Sequence, residues 1–356
     1  MISSNTQESL EALLHKHSVP REECRRDAEE PGALRCIACA HRCLIREGRN
    51  GICKVRFNEA GNLHVPYGYV AGRLAADPIE KKPFYHVLPG STALSFGMLG
   101  CDMHCGYCQN WYTSQALREG TAGARIVEIL PEEILQAAQR TGCRSVVSTY
   151  NEPLISAEWA AEIFDLCRPA GLLTGFVSNG NATPEVLDYL APRLDLYKVD
   201  LKTFQDRAYR RLGAVLENIL EAIRYAHSLG LWVEIVTLVV PGFNDSSEEL
   251  GQIAEFIASV SPNIPWHVTA FRPDYKMTDR GPTTLAHLLR AVDAGRGAGL
   301  HFIYAGNAHG LTDAESTLCP GCGEVLVERV GYHIRKVALA EDRCPRCEIE
   351  IPGIWN

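Results

Sequence analysis

The sequence predicts an α/β protein: a partial or full β/α barrel with small cysteine-rich, metal-binding appendages at its N- and C-terminal ends. Three observations lead there. From about residue 92, apolar strand-like runs alternate with stretches of helical period. The strands are apolar almost throughout, as expected where helices cover both faces of a parallel sheet. No G-x-G-x-x-G fingerprint follows the first strand, which disfavours a dinucleotide-binding doubly wound fold.

The elements follow in order. "TALSFGML" is a short buried strand running into Gly100 and a cysteine loop. "PEEILQAAQR" is a helix with proline in its first turn, followed by the strand "SVVSTY". "SAEWAAEIFDLCRPAG" is helical and closes at Gly171 before the strand "LLTGFVS". "TPEVLDYL" has Thr183 as N-cap and Pro184 at its first helical position, and the strand "LDLYKVDL" comes next. The helix "LENILEAIRYAHSLG" leads to the strand "LWVEIVTLVV". Asp245 with Glu248 reads as a capping-box-like start for "SSEELGQIAEFIASV". "WHVTAF", "TTLAHLLRAVDAG" and "LHFIYAG" complete six or seven βα units. In such barrels function sits at the C-terminal ends of the strands, where "NEP", "NGN", "DLK" and "PGFND" fall.

With 356 residues, 46% of them apolar, the chain can hold one large α/β domain. The division expected is residues 1–90, 91–310 and 311–356. The N-terminal stretch reads as a polar amphipathic helix without the apolar core of a signal peptide. No run approaches the roughly 18 apolar residues of a membrane span. A net charge of −8 without any basic run argues against nucleic acid. Cytoplasm is therefore expected, where the fourteen cysteines should be thiols or metal ligands.

Those cysteines sort into groups: Cys36, Cys39, Cys43 and Cys53; Cys101, Cys105 and Cys108; Cys319, Cys322, Cys344 and Cys347. Cys24, Cys143 and Cys167 stand alone and read as small buried hydrophobes. Three cysteines on one loop bind three irons of a [4Fe–4S] cluster and leave the fourth iron open. Gly106 is expected to allow the turn between the last two. The alternative is a zinc site with His104 as fourth ligand, disfavoured because His104 adjoins Cys105 and neighbouring side chains point apart. "CPGCGEVLVERVGYHIRKVALAEDRCPRC" has zinc-ribbon spacing and predicts a closed structural zinc, with a rubredoxin-like iron as the alternative. Its expected role is to fold and dock the tail. The N-terminal group has spacings of two, three and nine. It fits a closed zinc site or an auxiliary iron–sulfur cluster, with zinc slightly favoured.

Cys-x3-Cys-x2-Cys with an aromatic, Tyr107, before the last cysteine resembles the signature of radical S-adenosylmethionine enzymes, over roughly residues 90–305. The resemblance implies that S-adenosylmethionine chelates the open iron and is split by one electron, from a donor such as flavodoxin or ferredoxin, into methionine and a 5′-deoxyadenosyl radical. "STYNEP", "FVSNGN" and "VDLK" resemble the pyruvate formate-lyase activase branch. That implies Glu152, with Asn151 beside it, for the methionine ammonium, and Ser178, Asn179, Asp200 and Lys202 for its carboxylate and the ribose. An ordinary ion pair is the alternative for Asp200. The branch's histidine near the cosubstrate has His267 or Arg272 as counterpart here. Both flanks, with "YNEP" and "PDYKM", are similar to the radical enzyme of the AmmeMemoRadiSam gene system, which implies Memo-type and AMMECR-type partner proteins. The chain departs from that pattern at "GNAHG" and "CEIEIPGIW". Three functions are carried: a radical enzyme acting on a small molecule, an activase acting on a backbone glycine of a partner enzyme, and a non-catalytic metal scaffold.

Overall fold

The computed structural model describes residues 10–119, 125–307 and 314–356. Its centre is one eight-stranded sheet. The strands are β1 (Ala75–Pro78), β2 (Thr92–Phe96), β3 (Ser145–Ser148), β4 (Leu173–Ser178), β5 (Leu196–Asp200), β6 (Trp232–Val239), β7 (Trp266–Ala270) and β8 (Ile303–Gly306). They lie side by side in chain order. β1 and β2 are antiparallel, and each later pair is parallel. Among the described residues no pairing joins β8 to β1, so the barrel is partial. Helices between the strands cover the sheet, and no described helix is long and apolar enough to cross a membrane.

The local signals act as the residues require. Thr183 Oγ1 accepts from Val186 N at 3.1 Å, capping the helix Pro184–Leu190. Gly171 takes φ +78° where the helical stretch ends. The cap near residue 245 differs from expectation. Ser246 Oγ accepts from Glu249 N at 3.2 Å, while Asp245 Oδ1 is taken by Gly242 N at 2.8 Å. The aspartate closes the preceding turn, so the serine one residue later caps the helix Ser247–Val260. Cys24, Cys143 and Cys167 are buried, as small hydrophobes should be. β1 has no sequence signature, because "AADP" is neither apolar nor alternating and owes its strand form to pairing with β2. The residues before Leu10, and 308–310 of the "GNAHG" segment, lie outside the described residues.

Both flanks are built onto the barrel. The N-terminal region forms two three-stranded antiparallel sheets after the helix Leu10–Lys16. It is tied to the helix Ala157–Cys167 by Arg56, whose two terminal nitrogens each lie 2.7 Å from a Glu158 oxygen. Both side chains are only 1% exposed. The C-terminal hairpin, Val325–Val330 with His333–Val337, docks through Arg329, which donates to Tyr85 O at 2.5 Å. The chain end adds Leu88 N to Ile354 O and Ile354 N to His86 O, each 2.7 Å.

A buried ion pair is far worse half-removed than absent, because the surviving charge keeps its desolvation penalty. Arg56→Ala should therefore destabilise the protein by about 3–5 kcal/mol. The double replacement Arg56→Met with Glu158→Leu should recover most of that loss in the urea midpoint. Equal damage from both variants would mean that the contact is not the clamp described here.

Candidate active site

The loops after the parallel strands converge on a cavity of about 420 Å³. Cys101, Cys105, Tyr107 and Cys108 line it from the loop after β2, and Asn151 and Glu152 from the end of β3. Ser178 and Asn179 come from β4, and Lys198, Asp200 and Lys202 from β5. Thr269 and Asn307 complete the far side. The three cysteines and all the cosubstrate candidates except His267 and its alternative Arg272 thus share one space.

The cysteine loop is held by backbone groups. Met98 N donates to Asn151 Oδ1 at 3.0 Å, Gly100 N to Thr113 O at 3.0 Å, and Lys276 N to Gly106 O at 2.9 Å. "PDYKM" therefore lies against the loop, and the Tyr275 ring stacks on Trp111 with centroids 5.2 Å apart. The conformational demand falls on Gly100, not Gly106. Gly100 has φ +92°, and a Cβ there would stand 2.8 Å from Val55 Cγ1. At Gly106 φ is not positive and the nearest atom would be 3.9 Å away, so any small residue could make that turn.

The donor set fits an iron–sulfur cluster. Cys101 Sγ lies 3.4 Å from Met103 N and 3.9 Å from Asn179 Nδ2, and Cys108 Sγ lies 3.2 Å from Ser114 Oγ. Burial first, and then the Asp102 charge, push the Cys101 thiol well above its usual range. Burial pushes the Cys105 thiol up to about 11, so a bound metal must displace its proton. The three sulfurs do not gather within 4.8 Å of one another, as ligands of a single ion would. His104 packs instead against the end of the helix Asp206–Leu212, where a Cβ on Gly213 would stand 2.7 Å from its ring, and it does not line the cavity. The zinc alternative for this loop loses its fourth ligand.

Two buried carboxylates hold the segment 179–181. Glu152 Oε1 accepts from Leu154 N (3.1 Å) and Ser178 Oγ (2.7 Å), and its Oε2 accepts from Asn179 N (2.7 Å). Asp102, absent from the sequence-based candidates, accepts from Asn179 Nδ2 (2.7 Å) and Asn181 Nδ2 (2.8 Å). Between them Gly180 has φ +78°, and a Cβ would meet Val199 Cγ1 at 2.5 Å, so only glycine fits. Burial first, and then the Asp102 charge, push Glu152 up to about 8 despite its three donors.

Asp200 is paired on both sides, with Lys198 Nζ and with Lys202 Nζ at 3.0 Å. Although burial opposes it, these two ammonium groups hold its carboxyl well below the usual range. The ion-pair alternative thus describes its contacts while it still lines the cavity. Lys198 is also missing from the sequence-based candidates. Its signal was the strand period, which sets Lys198, Asp200 and Lys202 on one face.

His267 sits elsewhere. Its Nε2 is 2.6 Å from Glu234 Oε2, and its ring stacks on Tyr304. Glu234 also accepts from Tyr85 N, His86 N and Trp232 Nε1. His267 and Arg272 line a neighbouring cavity of about 270 Å³, which shares Lys81, Pro83, Thr269, Asn307 and Tyr332 with the first. His267 shares a strand face with Thr269 but sits one position deeper, where Glu234 takes its imidazole.

Cys319, Cys322, Cys344 and Cys347 gather within 4.8 Å of one another, in the way one tetrahedral ion requires. The hairpin between them is more than a tail, because Tyr332 at its tip lines the cysteine cavity. Cys36, Cys39 and Cys53 are buried and Cys43 is partly buried, without a comparably tight group.

The chain is similar to known proteins in keeping with this geometry. Residues 97–257 match the family model of the radical SAM superfamily, SAM being S-adenosylmethionine. An uncharacterized protein of Methanocaldococcus jannaschii is 36% identical over 318 residues, 89% of this chain and 93% of that protein. A pyruvate formate-lyase 1-activating enzyme of Escherichia coli is 29% identical over 174 residues, 47% of this chain and 69% of that enzyme. A radical SAM methyltransferase from Sphaerobacter thermophilus superposes with a TM-score of 0.48 at 13% identity, covering 84% of this chain and 80% of that one. Three thiols on the loop after the first parallel strand, facing polar groups from the ends of the next ones, are thus accounted for: the chain belongs to the radical S-adenosylmethionine superfamily, in the branch that resembles pyruvate formate-lyase activating enzymes.

Proposed function

We propose that this enzyme cleaves S-adenosylmethionine reductively and removes a hydrogen atom from a small-molecule substrate, an oxidoreductase-like reaction in the cytoplasm. The observation that carries the reading is the shared cavity in which Cys101, Cys105 and Cys108 face Glu152, Asp200 and the lysines of β5. When bound, the cluster and cosubstrate supply one-electron cleavage and hydrogen abstraction. The chain's own residues bind and orient. Cys101, Cys105 and Cys108 hold three irons. Glu152 has a lone-pair direction left on Oε2 for the methionine ammonium. Lys198 and Lys202 offer cations to its carboxylate, and Asn151, Ser178 and Asn179 keep the walls in register, with Tyr107 packed beneath.

Small-molecule action is favoured by what narrows the mouth. Lys81, Lys82 and Pro83 reach in from the N-terminal side and Tyr332 from the C-terminal hairpin. A backbone glycine on a partner's loop would need an open groove. The match to the activating enzyme of E. coli covers 47% of this chain, so no function follows for both flanks together. We assign units 1–90, 91–310 and 311–356 the tasks of lid, barrel and wall. A flavodoxin or ferredoxin is the proposed electron donor, and Memo-type and AMMECR-type proteins are the proposed partners.

Replacing Cys101, Cys105 and Cys108 together by alanine should abolish 5′-deoxyadenosine formation under reducing conditions. Persisting cleavage would overturn the reading. Substrate class is read by deuterium transfer from candidate compounds into 5′-deoxyadenosine in the wild-type enzyme.

Glu152→Gln turns one acceptor into a donor facing other donors. A charge-assisted hydrogen bond is typically about 1.5–3 kcal/mol. The variant should therefore keep its iron but bind S-adenosylmethionine roughly ten-fold or more weakly. Equal affinity would remove Glu152 from the site.

We assign zinc to Cys319, Cys322, Cys344 and Cys347. X-ray absorption at the zinc edge should give four sulfurs at about 2.3 Å. Iron as the metal there would correct the assignment.

A further inference from the structure

We propose that Cys36, Cys39, Cys43 and Cys53 hold a second [4Fe–4S] cluster, closed by its four protein thiolates and set directly against the cysteine loop. The fold gathers these residues although the sequence separates them. The strand Leu34–Cys36 pairs with Leu44–Ile45, and Cys36 N donates to Cys43 O at 3.0 Å. A turn with Arg42 at φ +45° brings Cys39 back, Arg42 N reaching Cys39 O at 3.0 Å. Ile52 N points at Cys43 Sγ from 3.5 Å, which places the following Cys53 beside the same group. Cys36 stands within electrostatic reach of each of the other three.

The choice between zinc and a cluster is geometric. Four thiolates on one zinc at about 2.3 Å stand about 3.8 Å apart. The C-terminal group approaches that, with sulfur pairs at 3.4 and 3.6 Å. In a [4Fe–4S] cluster each thiolate sits on its own iron, so the sulfurs spread around a larger core. Among the described residues no three N-terminal sulfurs lie within 4.8 Å of one another, and the same holds for Cys101, Cys105 and Cys108. The N-terminal group therefore follows the pattern of the radical loop, against the slight preference for zinc drawn from spacing. With four ligands it offers no open iron, so it is not a second cosubstrate site.

Its position is specific. His41 Nε2 lies 3.2 Å from Asp102 O, and Ala40 N donates to Asn181 O at 2.8 Å. The Cys53 carbonyl lies against Gly100, where a Cβ would stand 3.1 Å from it. Both neighbours of Cys101, Gly100 and Asp102, thus touch this segment.

The test uses the full chain with Cys101, Cys105 and Cys108 replaced by alanine, reconstituted anaerobically with ferrous iron and sulfide. We expect about four irons and about four acid-labile sulfides per chain to remain, with a reduced-state EPR signal indifferent to S-adenosylmethionine. Adding Cys36→Ser and Cys53→Ser should remove both. Sulfide separates this site from the C-terminal group, since a single iron among four thiolates brings none. A folded triple variant without sulfide, or with two zinc ions per chain, overturns the proposal. If that variant does not fold, the wild type decides. About eight irons with one cosubstrate-sensitive and one insensitive EPR signal support the proposal, and about four irons with a single signal overturn it. None of these readings depends on the substrate.

Discussion

The interaction on which the site depends is the capture of one short segment by two buried carboxylates. Glu152 takes the backbone of Asn179, and Asp102 takes the side chains of Asn179 and Asn181. A buried carboxylate left without donors is costly, so each must be satisfied wherever the chain folds. Here the donors come from one turn, and satisfying both carboxylates fixes the end of β4 against the ends of β2 and β3. Asn179 then turns its amide toward Cys101 Sγ as a by-product of that bracing. The cavity wall and the thiol environment follow from the same few hydrogen bonds.

Charge is arranged around this frame in opposition. The wall carrying Glu152 presents a carboxyl group, while β5 presents Lys198 and Lys202 with Asp200 between them. On the rim, Lys82 Nζ is 3.0 Å from the Tyr150 hydroxyl and 3.0 Å from Asp77 Oδ2. A zwitterion with its ammonium toward one wall and its carboxylate toward the other is oriented by such a field, and more strongly as water is excluded. Such exclusion is the role proposed for the flanking segments.

Much of this was legible in the sequence, for identifiable reasons. Parallel strands buried on both faces leave unbroken apolar runs, and proline and glycine punctuate the helices, so the βα series could be read directly. The cysteine spacing and "NEP", "NGN" and "DLK" announced the strand-end groups because local order alone sets them there. Asp102 was not legible. An aspartate after a cysteine has no local signature, and its role arises only when Asn179 and Asn181, far along the chain, fold over it. For His267 the alternation along β7 is visible, but which neighbour awaits the imidazole depends on Glu234 of the adjacent strand, which no local pattern announces. β1 was hidden because pairing, not pattern, makes it a strand.

The C-terminal hairpin joins the four gathered cysteines to the wall of the cysteine cavity. Arg329 is fully buried, yet its contacts are neutral: Tyr85 O, Thr317 Oγ1, and the faces of Tyr85 and Tyr304 at 4.5 and 5.8 Å. A guanidinium held this way depends on placement, since carbonyl and ring contacts weaken quickly when misaligned. Placement comes from the hairpin, with the four gathered cysteines at its ends. Three residues beyond Arg329, Tyr332 enters the cysteine cavity. The four cysteines, the hairpin, Arg329 and Tyr332 are therefore contiguous, and the same Tyr85 that receives Arg329 packs edge-on against His267 at 4.6 Å. Through Tyr332 the hairpin that carries the four cysteines is thus part of the wall of the cysteine cavity.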